Sequence, residues 1–278
     1  MKHLLDKVIV ITGAGSGIGK AFAIRYAAEG AKVVLTGRRE SRLKEVADLI
    51  TANGGHAFAK QLDVTDKDTV EAFFNWIKRE FGQIDILINN AGSFQCLGAL
   101  WEIDPEEWWT DATINLRGPM LTMHYALQLM MEKNSGLIIN MNGGGSTVPL
   151  PGGSGYGSSK AGLLRLTEGV AEELKSIGSK IIVLAMGPGL VRTEMTELQA
   201  HSELGRKWIP STKEYLESGE DATPEGSVNS ILDLIKNLDP AFAGRVFVKG
   251  MNFAQLKSDL PNDAHKEAYK LRLIRKNP

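Results

Sequence analysis

The sequence predicts a single α/β domain in which helices cover a doubly wound parallel sheet of about seven strands. Two observations lead to this fold class. Short apolar runs rich in β-branched residues alternate with longer stretches, and apolar residues recur in those stretches every three or four positions. Such runs indicate strands buried on both faces, and such stretches indicate helices. Strands separated by helices pair in parallel, and ligands bind at their carboxyl ends.

The predicted elements alternate along the chain. The strands are 8–12, 33–35, 56–60 (the weakest), 84–88, 137–139, 181–184 and 246–248. The helices are 18–29, 41–52, 67–81, 105–132, 156–177 and 224–238. The repeat assigns residues 1–250 to one domain.

Two segments do not fit the repeat. Residues 190–221 are long, polar and mixed, which predicts a substrate lid; the alternative is an excursion over the surface. Residues 251–278 form a C-terminal extension with a possible short helix at 264–275. We expect this extension to pack on the body or on a partner subunit.

Composition narrows the class of partner. A net charge of -1, from 32 basic and 33 acidic residues, gives no basis for binding nucleic acid or an anionic membrane, so we expect a small-molecule substrate. A single cysteine, Cys96, excludes an internal disulfide and a thiolate metal cage, and we expect no metal. No signal-peptide segment precedes the first strand, and the longest apolar run, 181–186, is far below the ~20 residues that span a bilayer. These features predict a cytoplasmic protein.

A glycine-rich turn directly follows the first predicted strand. It reads Thr12-Gly13-Ala14-Gly15-Ser16-Gly17-Ile18-Gly19. Residues without side chains let the backbone turn sharply and approach a pyrophosphate at a helix N-terminus. Glycine clusters also form plain tight turns, but the position between strand and helix favours a dinucleotide site. The candidate cofactor-binding residues here are Gly13, Gly15, Ser16, Gly17, Ile18 and Gly19.

The end of the second predicted strand bears on the choice of dinucleotide. NAD-binding units usually have an acidic residue there for the ribose 2′-hydroxyl, but this chain has Arg38 and Arg39. Guanidinium groups bind a 2′-phosphate through paired charge-assisted hydrogen bonds. We therefore predict NADP(H) in preference to NAD(H). The alternative is that both arginines are solvated residues at the start of the next helix.

Tyr156 and Lys160 stand four residues apart in a predicted helix. Residues at this spacing share one face, so the ammonium can approach the phenol while both reach one cleft. A neighbouring cation lowers the pKa of a tyrosine, which would let Tyr156 exchange a proton near neutral pH. The same spacing also arises by chance on ordinary helices.

Together, these motifs make residues 5–250 resemble the short-chain dehydrogenase/reductase family, which has a Rossmann fold. The resemblance implies that domain 1–250 binds the dinucleotide and carries out the catalysis. Six signals occur in the family's order: the Thr12–Gly19 turn, Asp63-Val64, Asn89-Asn90-Ala91-Gly92, Asn115, Tyr156 with Lys160, and Pro188-Gly189 followed by Thr193. The resemblance implies an oxidoreductase that interconverts a carbonyl and a secondary alcohol, assembled as a homodimer or homotetramer.

The resemblance also assigns cofactor contacts. It implies that Asp63 bonds the adenine amino group, Val64 lines the adenine pocket and Asn90 lies by the ribose. The remaining implied contacts are Ala91, Gly92, Pro188, Gly189, Val191 and Thr193. Each has a plainer alternative: Asp63 could cap the following helix, and the Asn-Asn and Pro-Gly pairs could simply form turns.

For the chemistry, the resemblance implies that Tyr156 protonates the developing alkoxide, or removes the alcohol proton in reverse. Lys160 would bind the ribose hydroxyls and stabilise tyrosinate. Asn115 would hold a water that links Lys160 to solvent; alternatively, it satisfies the backbone of a helix kink.

The chain departs from the family at one position. Gly143 stands where the family usually has a serine that bonds the substrate carbonyl. Ser146 or Asn142 could supply the missing donor, with Ser146 slightly favoured, or the N–H groups of residues 143–145 could do so. Losing one such donor typically costs about 2.7 to 4 kcal/mol in the transition state.

This departure leaves two other functions open. One is a catalytically impaired dinucleotide-binding sensor or scaffold, and the other is an isomerase or dehydratase with transient hydride transfer. We predict that the substrate pocket is mainly apolar and is lined by Phe94, Gln95, Leu150, Gly187, Met195, Leu198 and Trp208. We expect the remaining tryptophans of this region, Trp101, Trp108 and Trp109, to pack around the fourth helix.

Overall fold

The structure is a computed structural model that describes residues 2–218, 220, 222–260 and 267–272. Seven strands form one sheet in the order β3-β2-β1-β4-β5-β6-β7, and every neighbouring pair is parallel. The strands are β1 Val8–Thr12, β2 Lys32–Gly37, β3 His56–Gln61, β4 Ile86–Asn89, β5 Leu137–Met141, β6 Ile182–Gly187 and β7 Val246–Val248. The predicted fold class, a doubly wound parallel sheet of seven strands, is confirmed.

Helices follow the strands in the predicted alternation. They are α1 Gly17–Ala28, α2 Glu40–Ala52, α3 Lys67–Phe81, α4 Pro105–Ala112, α5 Gly118–Lys133, α6 Ser154–Ser176, α7 Glu194–His201, α8 Glu203–Trp208, α9 Pro210–Glu217, α10 Pro224–Lys236 and α11 Phe253–Asp259. A π-helical turn, Thr113–Arg117, joins α4 to α5, and a 3-10 turn, Pro240–Phe242, precedes β7.

Both faces of the sheet are covered, which explains why the strands are apolar throughout. In β1, Ile9 and Ile11 belong to the core cluster that contains residues of α1, α2 and α10, while Val8 and Val10 belong to the cluster on the opposite face with residues of α3 and α5. Successive side chains of a strand point to opposite faces, so a strand between two helical layers needs apolar residues at every position.

The helix predicted at 105–132 is interrupted. Thr113–Arg117 forms a π-helical turn, in which the N–H of Gly118 donates to the carbonyl of Thr113. The physical reason is Pro119, which has no N–H to donate to the carbonyl of Asn115, four residues earlier. The prediction of one regular helix was therefore wrong at the point where Asn115 lies.

The two segments outside the repeat are more regular than expected. Residues 190–217 contain α7, α8 and α9. In the C-terminal extension, α11 buries Phe253 against Phe242 and Phe247. The helix suggested at 264–275 lies partly outside the described residues, and its described part, 267–272, consists of a turn and irregular chain. In that turn Tyr269 has a φ of 61°, which is incompatible with a continuous helix.

In the part of the chain that the structure describes, no helix combines the length and apolarity that crossing a membrane requires.

Candidate active site

One cleft of 1580 Å³ runs along the carboxyl ends of the strands and contains both the glycine turn and Tyr156 with Lys160. A pocket for one small ligand usually measures about 300–1,000 Å³. This cleft therefore has room for a dinucleotide and a substrate side by side. The topology explains the position, because parallel strands end at the same edge of a sheet.

The glycine turn forms one end of the cleft. Gly13 and Gly17 have φ angles of 67° and 53°, a region that favours glycine. A Cβ on Gly19 would lie 2.3 Å from the carbonyl oxygen of Gly13, so no side chain fits there. Ser16, which precedes α1, makes no capping hydrogen bond through its side chain. The turn therefore presents bare backbone and the N-terminus of a helix, which fits the pyrophosphate of a dinucleotide.

Asn90 braces this turn. Its Nδ2 donates to the carbonyl of Thr12 at 2.9 Å and to that of Gly13 at 3.3 Å. The N–H groups of Asn90 and Ala91 donate to Oγ1 of Thr12 at 3.0 and 2.9 Å. Both residues line the cleft, together with Gly92. The Asn90 amide is thus committed to holding the shape of the turn.

Asp63 and Val64 line the cleft beyond β3. Oδ1 of Asp63 accepts hydrogen bonds from the N–H and the hydroxyl of Thr65, at 2.9 and 2.7 Å. Its other oxygen, Oδ2, has no hydrogen-bond partner in the described chain and is available to an amino group. The alternative that Asp63 caps α3 is wrong, because Asp66 accepts the N–H groups of the first turn.

Arg38 and Arg39 both line the cleft near the glycine turn. Nη2 of Arg39 donates to Oγ of Ser16 at 3.2 Å and lies 3.3 Å from Oε2 of Glu194. The position beside the turn fits a group attached to the adenosine ribose. Both side chains are exposed, so solvated arginines remain compatible with the same geometry.

Tyr156 and Lys160 lie near the start of α6, where their helical spacing brings them to one face. The Nζ of Lys160 is 5.5 Å from the centre of the Tyr156 ring and donates to the carbonyl of Met141 at 2.9 Å. The ring of Phe94 stacks on the ring of Tyr156, with 4.5 Å between the two ring centres. The structure thus brings the two predicted catalytic groups together beside an aromatic wall.

The pKa values of the pair differ from the sequence expectation. Burial raises the pKa of Tyr156 to about 12, and the Asp111 carboxylate acts in the same direction. Burial lowers the pKa of Lys160 to about 8. The expectation that the ammonium lowers the tyrosine pKa is not met here, because the cost of burying a phenolate determines the direction of the shift.

Gly143 is sterically tied to Tyr156. A Cβ on Gly143 would lie 2.1 Å from the Tyr156 hydroxyl oxygen, so a serine has no room while the tyrosine stays in this position. The two substitute donors contact each other: Nδ2 of Asn142 donates to Oγ of Ser146 at 2.8 Å. Both are buried and line the cleft, and Oδ1 of Asn142 has no partner among the described residues.

Asn115 is fully buried within the π-helical turn. Its Oδ1 accepts from the N–H of Ser93 at 3.0 Å, and its Nδ2 donates to the Ser93 carbonyl at 2.6 Å. The alternative that this amide satisfies the backbone of a helix kink is wrong, because both bonds go to the loop after β4.

Asp111 belongs to the same site and was not predicted. Its side chain is only 1% exposed, and it accepts from Oγ of Ser93 at 2.5 Å and from the N–H groups of Gln95 and Cys96 at 2.9 Å each. These bonds fix the loop that carries Phe94. The sequence signal that could have indicated Asp111 is its spacing, because Asp111 lies one helical turn before the candidate residue Asn115.

The loop after β6 crosses the cleft and leads into α7. Gly189 has a φ of 76°, and Thr193 caps α7 by accepting from the N–H of Thr196. The four residues of this loop that the resemblance implies as cofactor contacts all line the cleft: Pro188, Gly189, Val191 and Thr193. The alternative of a plain Pro-Gly turn does not explain why the whole segment follows the cleft.

Six of the seven residues predicted for the substrate pocket line the cleft, and one does not. Cleft-lining residues include Phe94, Gln95, Leu150, Gly187, Met195 and Leu198. Trp208 does not line the cleft; it packs on Gly152, where a Cβ would lie 2.5 Å from the Trp208 Cβ.

The expected packing of the three other tryptophans holds only for Trp108, whose Nε1 donates to Oγ of Ser154 on α6 at 3.0 Å. Trp101 and Trp109 are 83% and 61% exposed. Trp109 lines the cleft, and the centre of its ring is 5.0 Å from that of Trp108.

Comparison with known proteins identifies the family. The family model described as short chain dehydrogenase matches residues 7–203. The chain belongs to the short-chain dehydrogenase family. Proteins of this family act on CH–OH and C=O groups, so this dehydrogenase is an oxidoreductase of that class. A nicotinamide dinucleotide is the cofactor that its relatives support.

Three relatives illustrate the similarity. A short chain dehydrogenase of Pseudocercospora fijiensis is 36% identical over 196 residues, covering 69% of this chain and 62% of the relative. A 3-oxoacyl-[acyl-carrier-protein] reductase of Synechocystis sp. is 38% identical over 199 residues, covering 71% of this chain and 79% of the relative. A metagenomic short-chain oxidoreductase solved in complex with NADP is 35% identical, with a TM-score of 0.63, covering 67% of this chain and 83% of that one.

Proposed function

We propose that this dehydrogenase is NADP(H)-dependent and interconverts a carbonyl and a secondary alcohol, with Tyr156 as the acid and base. The observation that carries the proposal is the position of Tyr156 and Lys160 in the cleft that also contains the glycine turn. A proton donor and a dinucleotide site in one cleft are the two components that carbonyl reduction requires.

In the direction of reduction, the chemistry that a nicotinamide dinucleotide would supply when held by the glycine turn is a hydride for the carbonyl carbon. The Tyr156 hydroxyl donates its proton to the carbonyl oxygen, which yields the alcohol. Because burial raises the pKa of Tyr156 to about 12, the phenol is protonated at neutral pH and ready to act as the acid. Lys160 lies beside the ring, and its charge favours the phenolate that remains after proton transfer.

For the substrate carbonyl, we propose that Asn142 and Ser146 act together in place of the family serine. Their hydrogen bond at 2.8 Å supports a joint role, since each holds the other in the wall of the cleft. Asn115 and Asp111 position the loop after β4, which brings Phe94 against Tyr156.

The preference for NADP(H) is proposed from Arg38 and Arg39, which stand where an NAD-binding unit usually has a carboxylate. It gains support from the relative solved with NADP. Residues 190–221 are proposed as the substrate lid, because Met195 and Leu198 of α7 line the cleft. The mainly apolar lining favours an uncharged ketone or secondary alcohol.

The proposal is tested by following NADPH oxidation against a panel of ketones with the wild type and Tyr156→Phe. We expect turnover with the wild type and a loss of about 10²- to 10⁴-fold in kcat for the variant, the range of general acid catalysis. NADPH binding, followed by fluorescence, should be retained. Equal rates in the two proteins would contradict the role of Tyr156.

The sensor or scaffold alternative finds no support in the comparisons, in which the relatives are named as dehydrogenases, oxidoreductases and reductases. Gly143 no longer argues for it, because the glycine leaves the space that the Tyr156 hydroxyl needs.

A further inference from the structure

The two arginines at the end of β2 differ in what they contact. Arg39 donates from Nη1 and Nη2 to Oε2 of Glu194, at 3.4 and 3.3 Å. The Arg38 side chain is exposed in the same cleft, and no hydrogen bond or ion pair joins it to another described side chain. One guanidinium is therefore free to bind an anion, whereas the other already faces a carboxylate.

The position of Glu194 is fixed by the fold. Glu194 is the first residue of α7 and follows Thr193, whose Cγ2 would lie 3.2 Å from a Cβ on Gly17. The start of α7 therefore lies against the glycine turn. Glu194, Arg39 and Ser16 all line the cleft at this point, so the carboxylate faces the place proposed for the adenosine ribose.

We propose that Glu194 determines how strongly the enzyme discriminates between the two nicotinamide dinucleotides, by competing with a 2′-phosphate for Arg39. The inference rests on the proposed function, in which Arg38 and Arg39 bind that phosphate. A carboxylate beside a phosphate repels it, and Arg39 can serve both anions only by sharing its donors. A 2′-hydroxyl brings no charge and leaves the Arg39–Glu194 pair undisturbed.

The size of the effect of Glu194 on NADPH binding follows from the solvent exposure of the Arg39–Glu194 pair. The side chains of Arg39 and Glu194 are 56% and 66% exposed, so water and salt screen the pair. We therefore expect Glu194 to weaken NADPH binding about two- to fivefold, the range typical of exposed ion pairs. Its effect on NADH should be smaller than that. Glu194 thus reduces a preference that Arg38 establishes.

The test measures dissociation constants of NADPH and NADH by fluorescence titration for the wild type, Glu194→Gln and Glu197→Gln. Glu197 is the matched control, because it lies in the first turn of the same helix, pairs with Arg192 and His201, and does not line the cleft. We expect Glu194→Gln to bind NADPH about two- to fivefold more tightly and NADH unchanged, and the gain should shrink at high salt. Glu197→Gln should match the wild type.

Two results would overturn the inference: an unchanged NADPH constant in Glu194→Gln, or weaker NADH binding, which would make Glu194 an acceptor for the ribose hydroxyl. A further variant, Arg38→Gln, separates this failure from failure of the proposed cofactor. If Arg38→Gln loses NADPH affinity while Glu194→Gln does not change it, only the role of Glu194 is wrong. If neither substitution affects NADPH binding, the proposed phosphate site itself is wrong.

Discussion

The two ends of the cleft are built differently. At the cofactor end, the chain backbone forms the surface, and short bonds such as that from Asn90 to the Thr12 carbonyl hold its shape. At the substrate end, side chains from separate loops form the surface, and hydrogen bonds to other side chains hold them in place. Asp111 holds the loop that carries Phe94, and Asn142 donates to Ser146. A surface made of closely packed backbone has no room for an additional side chain. A surface made of side chains can be substituted at one position while the hydrogen bonds that hold the neighbouring side chains remain.

This difference explains where the chain departs from its family. The glycine turn retains the glycines that its close contacts demand. Gly143 stands at the substrate end, where the family usually has a serine, and we propose that the neighbouring Asn142–Ser146 pair supplies the missing donor. The comparison therefore predicts that added atoms harm binding at one end and turnover at the other.

The largest effect is expected for Gly143→Ser, which restores the usual family residue. The new Cβ would lie 2.1 Å from the Tyr156 hydroxyl oxygen, so the tyrosine must move. A displacement of about 1 Å can cost about 10²-fold in rate, and we expect a fall of that order in kcat with NADPH binding retained. The matched control is Gly144→Ser, because a Cβ there meets nothing within 4 Å. An increase in kcat for Gly143→Ser would show that Tyr156 has another working position.

The next largest effect is expected for Gly19→Ala at the cofactor end. Its Cβ would lie 2.3 Å from the Gly13 carbonyl oxygen and 2.6 Å from Nδ2 of Asn90. Overpacking costs about 1–3 kcal/mol, so we expect NADPH binding to weaken roughly ten- to hundredfold. Gly169→Ala in α6, where a Cβ meets nothing within 4 Å, controls for alanine in a helix. Unchanged binding in Gly19→Ala would contradict a tightly built turn.

The same contrast determines what the sequence could predict. Glycine spacing, strand periodicity and the Tyr156–Lys160 spacing depend on local geometry. The parallel sheet and the position of its cleft at the carboxyl ends of the strands followed from them. The contacts of Asp111 and Glu194 depend on loops that meet only in the folded chain. The break in the long helix required knowing that Pro119 leaves the Asn115 carbonyl without its donor. The direction of the Tyr156 pKa shift required its burial, which a linear spacing does not give.

The rate of reduction should depend on pH through Lys160, which lies where the cofactor end of the cleft meets the substrate end. With a pKa of about 8, Lys160 loses its charge above that pH, whereas Tyr156, at about 12, stays protonated. At pH 9, about a tenth of the lysines retain the proton, so kcat/KM for reduction should be about tenfold below its value at pH 7. NADPH binding should decline over the same range if Lys160 holds the ribose. A decline in turnover alone would assign the titration to another group.

The smallest effect on turnover is expected for Asp111→Asn. This substitution keeps the size and shape of the side chain that holds the loop after β4 at the substrate end. The variant replaces a buried carboxylate oxygen by an amide that cannot accept from a backbone N–H, so the free energy of unfolding should fall by about 1–3 kcal/mol. Because the Asp111 carboxylate raises the pKa of Tyr156, its removal lowers that pKa, and alcohol oxidation should begin at a lower pH than in the wild type. Asp104→Asn is the matched control, since asparagine caps a helix as well as aspartate and Asp104 caps α4. If both variants oxidise alcohols with the pH profile of the wild type, Asp111 supports the loop without acting on Tyr156.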